Sequence, residues 1–141
     1  MTRIDFYILA DVDEAARRRF CCRLAHRAAT AGKRVHIRAD DAAAADLDEL
    51  LWEYPPDRFL PHARVADASE KEPVTVGNVE EEPPHDDVLI NLATDIPGSF
   101  GRFERVSEVV LASARGPGRD KYRRYREGGY PLFHHELDDW E

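Results

Sequence analysis

The apolar positions begin as a nearly continuous run. "RIDFYIL" (Arg3–Leu9) carries five apolar residues in seven, which predicts a buried first strand. The spacing then changes. In "ADVDEAARRRFCCRLAHRAATAG", Ala15, Ala16, Phe20, Leu24 and Ala28 recur near helical spacing. Asp11 or Asp13 is placed to cap this helix and Gly32 to end it. "KRVHIRA" returns to strand character. "DDAAAADLDELLW" predicts a second helix, capped by Asp40 or Asp41, with Leu47, Leu50 and Leu51 facing inward. Strand, helix, strand, helix over the first fifty residues argues for a parallel sheet with right-handed crossovers.

Beyond this point the pattern is more broken. "EYPPDRFLPHARV" is a proline-punctuated loop, "EPVTVGNV" a strand and "EEEPPHDD" a charged loop. "DVLINLA" (Asp87–Ala93) and "RVSEVVLAS" (Arg105–Ser113) predict two further strands, separated by a turn or short helix at "DIPGSFGRF". A closing helix is expected from Pro117 to Glu127, ended by Gly128 and Gly129, after which Tyr130, Leu132, Phe133, Leu137 and Trp140 pack back on the body. There is no internal repeat, so residues 1–141 read as one domain. The expected fold is a three-layer α/β/α sandwich around a mostly parallel sheet of about five strands.

Composition narrows the class. With 141 residues, 43% of them apolar and 34% charged, the chain matches a soluble globular domain. No run approaches the length of a membrane span. The first residues reach acids too soon for a signal peptide, which points to a cytoplasmic protein. Cys21 and Cys22 are adjacent and belong to no CxxC pair, so they read as small apolar residues rather than a disulfide or zinc ligands.

The net charge of −8 argues against broad nucleic-acid binding. It is unevenly placed, however. Arg115, Arg119, Lys121, Arg123, Arg124 and Arg126 stand against Asp120 alone, whereas from Asp67 to Asp87 eight acids stand against Lys71. A basic island in an acidic molecule steers small anionic partners while the remainder repels long polyanions.

Local motifs for catalysis are absent. The Gly32–Lys33 pair suggests a phosphate loop, but the motif's upstream glycine is missing and Arg34 follows the lysine. The pair also ends a helix instead of opening one, so no helix N-terminus faces a phosphate. Neither GxGxxG, GxSxG nor any local signature of a Ser-His-Asp triad is present. His134–His135 and His85 lie near acids but lack a face-sharing metal spacing, so no metal or other cofactor is expected. His62 reads as a structural hydrogen-bonding residue.

Two features remain. Arg119, Tyr122, Arg123 and Arg126 share one helical face, with Arg115 in the preceding turn. Guanidinium groups grip carboxylates in pairs of hydrogen bonds, and a tyrosine offers a flat wall with a polar tip. The pattern suits an anionic, aromatic ligand, but equally a phosphate or a solvated helix end. In "LWEYPPDRFLPH", Trp52, Tyr54, Phe59 and Leu60 crowd a loop with three prolines. These residues either anchor an interface or plug the end of the sheet.

The landmarks "FYIL", "GKRVHI", "LDELLWEYPPDRFLPH", "DVLINL", "FERVSEVV" and "KYRRYREGGYPL", with their spacing, resemble the chi-subunit family of bacterial DNA polymerase III over nearly the whole chain. The resemblance implies a non-enzymatic adaptor of the clamp-loader complex, with a fold similar to nucleotide-binding domains but no nucleotide site. Such subunits bind the acidic C-terminal tail of single-stranded DNA-binding protein, which ends in an Asp-rich stretch and a Pro-Phe pair. On another surface they bind the psi subunit, placing them at the nucleoid through the replisome. Matched to the family's motif, Arg115, Arg119, Tyr122 and Arg123 form the tail-binding set, with Arg119 the principal anion contact and Val110, at the end of the last strand, an apolar wall. Trp52 and Phe59 form the psi-facing surface, which in the family also recruits a helicase-like repair protein. The stretch between Val110 and Arg119 is shorter here than in the family's pattern. The competing reading is a direct single-stranded nucleic-acid-binding module using the same basic helix. It calls for a basic groove extending beyond residues 115–126, and the sequence supplies none. An enzyme of the nucleotide-binding type is a third possibility, requiring the phosphate loop or nucleophile that is missing.

Overall fold

The computed structural model describes residues 1–56 and 58–138, the side chain of Arg115 excepted. The expected packing of Trp140 falls outside the described residues. The elements are β1 (Arg3–Leu9), α1 (Glu14–Thr30), β2 (Val35–Arg38), α2 (Asp41–Glu53), β3 (His62–Arg64), β4 (Val74–Gly77), β5 (Val88–Asn91), β6 (Arg105–Leu111), α3 (Arg115–Glu127) and β7 (Leu132–Leu137). Among the described residues the seven strands run parallel in one sheet, in the order β3-β4-β2-β5-β6-β1-β7.

The α/β class and the parallel sheet follow the pattern of the sequence, but the sheet has seven strands rather than five. Both additions are edge strands. The loop after α2 ends in the three-residue β3, and the C-terminal segment expected merely to pack on the body pairs with β1 along its whole length as β7. Val110 therefore lies near the end of β6, not of the last strand. An edge strand needs apolar residues on at most one side, and three of the six β7 residues are exposed, so its sequence lacks a buried-strand signature.

Right-handed crossovers decide which face each connection covers. The steps β1→β2 and β2→β3 move toward one edge, with α1 and α2 on the same face. The steps β4→β5, β5→β6 and β6→β7 move toward the other edge and must cross the opposite face. There α3 packs near a 3-10 turn at Phe100–Arg102, and the acidic loop brings His85 against His36 of β2. The α1/α2 face holds the larger core, including Leu9, Ile37, Leu47, Leu51, Val76 and Ile90. The α3 face holds a smaller one of Ile4, Phe6, Leu89, Phe103, Val106 and Tyr125.

Asp13 caps α1, accepting from the Ala16 N–H at 2.9 Å, and Asp40 caps α2, accepting from the Ala43 N–H at 3.1 Å. The buried stripe of α1 is Ala16, Cys21, Cys22 and Ala25, while Ala15 is exposed and Phe20, Leu24 and Ala28 flank it. Small residues let this helix approach the sheet closely. Both cysteines are free, and burial pushes the Cys22 thiol up to about 12 and Cys21 well above its ordinary range. The helix ends before Gly32, which takes a φ of +84° suited to glycine. Helix α3 starts two residues earlier than expected and contains Pro117 in its first turn. There the backbone N–H has no helical partner, so proline removes nothing.

Candidate functional site

Helix α3 has few apolar residues with which to dock. A buried polar cluster supplies much of the attachment. Glu108 of β6, fully buried, accepts hydrogen bonds from Lys121 Nζ at 2.8 Å, Tyr125 Oη at 2.7 Å and Asn91 Nδ2 at 2.9 Å. Lys121 Nζ also donates to the Ala93 carbonyl. Arg38 extends the cluster by donating to Asn91 Oδ1 at 3.2 Å and pairing with Asp95 at 2.9 Å. Hydrogen bonding to Arg38 lowers the Asp95 carboxyl below its ordinary range. Burial, reinforced by the Glu108 carboxylate, holds the Tyr125 hydroxyl far above the usual phenol range.

With its inner face so fixed, α3 presents its other side over the β1/β7 end of the sheet. Between helix and sheet lies an open groove of about 430 Å³. Gly118, Arg119, Tyr122, Arg123 and Arg126 form the helix wall, Phe6, Ile8 and Val110 the floor, and His134 and Glu136 of β7 the far wall. Gly118 permits this approach, since a Cβ there would stand 3.0 Å from a Val110 methyl. The Tyr122 ring is held edge-on between Phe6, at 5.5 Å, and His134, at 5.6 Å between centroids. Such aromatic contacts fix its plane as one side of a slot.

Arg119 and Arg126 are exposed and form no hydrogen bond or ion pair among the described residues; Arg123 has a loose contact with Asp120 at 3.8 Å. Their donors are thus available to an incoming anion. Val110, Arg119, Tyr122 and Arg123, four of the five residues expected together, line this groove. Arg115 is the first residue of α3, and its side chain lies outside the described residues. No local pattern marks the remaining lining residues: Phe6 and Ile8 enter because α3 lies over β1, and His134 and Glu136 because the C-terminal segment pairs with β1 as β7. The i+7 position of Arg126 did signal its place.

Trp52 and Phe59 lie elsewhere, at the end of α2 and in the loop before β3. They are 59% and 72% exposed, with ring centroids 5.9 Å apart, so they do not plug the sheet. Buried His62 supports Trp52 from beneath at 4.4 Å, its ring nitrogens 2.8 Å and 2.9 Å from the carbonyls of Leu60 and Asp48. His62 is the structural hydrogen-bonding residue expected. Leu60 is buried and Tyr54 half-buried. The sheet places six inter-strand spacings between β3 and β7, or about 29 Å at about 4.8 Å each.

A second cavity, about 650 Å³, opens at the C-terminal ends of β1 and β6, where the connections diverge to opposite faces. Nucleotide-binding folds place their phosphates at such a point. Here, among the described residues, Asp11 and Asp13 line it beside the single cation Arg19, and the Asp13 cap already occupies a helix N–H, so a phosphate would meet two carboxylates for one guanidinium. His134 and His135 point to opposite faces of β7, the latter to Asp5 at 3.0 Å. Among the described residues no group of three or more His, Cys, Asp or Glu is placed to hold a metal, and no helix is long and apolar enough to cross a membrane.

Comparison with known proteins is consistent across three relatives and one family. Residues 1–133 match the family model described as DNA polymerase III chi subunit, HolC. The chain is 41% identical over 140 residues to a Pseudomonas aeruginosa protein named DNA polymerase III subunit chi, covering 97% of this chain and 98% of the relative. Proteins of the same name from Escherichia coli (30% identical, 94% and 96% covered) and Haemophilus influenzae (28%, 90% and 92%) are also similar.

Proposed function

Because the chain belongs to the DNA polymerase III chi-subunit family, an accessory rather than catalytic component of replication, we propose that it is an adaptor with two separate docking surfaces. The groove beside α3 takes the acidic C-terminal tail of single-stranded DNA-binding protein. The Trp52–Phe59 surface takes the psi subunit, linking the tail to the clamp loader, or alternatively a helicase-like repair protein. The observation that carries this reading is the groove itself, an aromatic and aliphatic slot beside arginines with few partners of their own.

The chemistry is complementary at each point. A terminal Phe ring entering the slot against Tyr122, Phe6 and Val110 contributes roughly 1.5–3 kcal/mol. Each exposed arginine–carboxylate pair adds about 0.2–1 kcal/mol, less in salt. These terms alone fall short of the about 8 kcal/mol of a micromolar complex, so the expected affinity is micromolar or weaker and falls with salt. The experiment is fluorescence anisotropy of a labelled acidic peptide ending in Asp-Ile-Pro-Phe, against wild type and Arg119→Ala, with a short oligothymidylate as control. Peptide binding that Arg119→Ala weakens by up to about fivefold, through loss of one exposed pair, supports the adaptor. Binding of the oligonucleotide in place of the peptide, dependent on Arg119, would instead make the helix a phosphate site.

A further inference from the structure

Building on that reading of the groove, we propose that Glu136 is its specificity-determining residue: its carboxylate limits how much negative charge the groove accepts, admitting a short acidic peptide with an apolar ring and refusing single-stranded nucleic acid. The register places it. Ile8 pairs with Val110 on one side and Glu136 on the other, so these three residues form one row across β6, β1 and β7, close to the level where Gly118 meets Val110. Glu136 is exposed and lines the groove across from the α3 arginines. It makes no hydrogen bond or ion pair among the described residues, and neither do Arg119 and Arg126. A carboxylate and three guanidinium groups thus border one cleft without neutralising one another.

An unpaired acid in that position does nothing for the fold that a glutamine would not do. Its effect falls on what enters. A ligand carboxylate that approaches Arg119 must also approach Glu136, and at about 7 Å through a water-like dielectric one such repulsion weakens binding about threefold. A peptide reduces this cost by laying its ring over Ile8, Phe6 and Val110, keeping its acids toward the helix wall. A polynucleotide has a charge at every residue and no such arrangement, so several phosphates meet the repulsion together. Of the other charged groups here, His134 lies one residue pair back along β7 beside Tyr122, and Asp120 faces outward with Arg123.

The test uses the full chain with Glu136→Gln and Glu136→Lys, exposed positions whose thermal stability is checked alongside. Labelled acidic peptide and oligothymidylate are titrated at low and physiological salt. The expected result is peptide affinity about threefold tighter in Glu136→Gln at low salt, and oligonucleotide affinity about tenfold or more tighter in Glu136→Lys, both gains shrinking as salt rises. Wild-type affinities for both ligands in both variants would overturn the inference. Failure of every protein to bind peptide, with oligonucleotide binding still gained in Glu136→Lys, would remove the peptide reading and leave the role of Glu136 standing.

Discussion

The attachment of α3 is open to a sharp energetic test through Lys121. Its ammonium is the counter-charge of Glu108, and the two residues are 7% and 0% exposed. Lys121→Met keeps the length and apolar volume of the stem but leaves the Glu108 carboxylate with two neutral donors, the Tyr125 hydroxyl and the Asn91 amide. Removing one member of a buried ion pair costs about 3–5 kcal/mol, because the remaining charge keeps its desolvation penalty. For a chain of this size that corresponds to a fall in Tm of about 6–20 °C. Glu108→Gln together with Lys121→Met removes both charges while retaining groups that can hydrogen-bond, and recovers more than half of the loss. Urea unfolding of the two single variants and the double variant, followed by circular dichroism, gives the coupling energy, expected to exceed about 1.5 kcal/mol. A loss below about 1 kcal/mol in Lys121→Met, or strictly additive effects, would show that the pair does not hold the helix.

Three further outcomes follow from particular contacts. Arg119→Ala weakens the acidic peptide by up to about fivefold in anisotropy while leaving the urea midpoint unchanged, since the side chain makes no internal bond. Trp52→Ala weakens a psi subunit by about 2 kcal/mol or more in calorimetry but leaves peptide affinity alone, the surfaces lying at opposite edges of the sheet. Burial, aided by His85 and Arg38, depresses His36 to about 3, so the unfolded chain takes up that proton first. Stability from the neutral ring is whole above about pH 6.5 and declines as pH falls toward 3, by about 1.4 kcal/mol per pH unit. Urea midpoints at pH 7 and 5 should therefore diverge less in His36→Gln than in wild type, and equal divergence would contradict this account.

The legibility of the fold tracks burial. The central strands carry largely apolar runs because both faces are covered, and β1, β2, β5 and β6 can be read directly from "FYIL", "VHI", "VLI" and "VVL". The edges cannot. Strand β3 is three residues long, and "LFHHEL" in β7 mixes exposed Phe133 with a half-exposed His135 stacked on Tyr7 at 4.7 Å. Its pairing is set by the β1 edge it meets rather than by its own pattern. The same limit governs the site. The helix wall was visible as an i, i+3, i+4, i+7 pattern, all within one element. The floor and far wall come from strands distant in sequence, and the registers of β6 and β7 on β1 assemble them. Glu108 was invisible for a related reason, since a single acid within an apolar strand has no local sign of the lysine and tyrosine that will satisfy it.

On the proposed reading, the weakness of the groove is compatible with firm engagement because of where the two surfaces lie. A partner held at the β3 edge leaves the β7 edge free, so both can be occupied at once. Once the psi side is held in a larger assembly near coated DNA, the tail no longer binds from dilute solution. Short flexible tethers supply effective concentrations of about 1 mM, and a groove with a Kd of about 10 µM would then be roughly 99% occupied. Tighter binding would add almost nothing to that occupancy while lengthening each bound interval in proportion. An unpaired Glu136 opposite the arginines lowers intrinsic affinity without lowering tethered occupancy appreciably, and it excludes the polyanion that the tail's owner coats. The acid in the groove and the separation of the two surfaces thus act in the same direction, toward a contact that forms readily in the assembly and lets go readily.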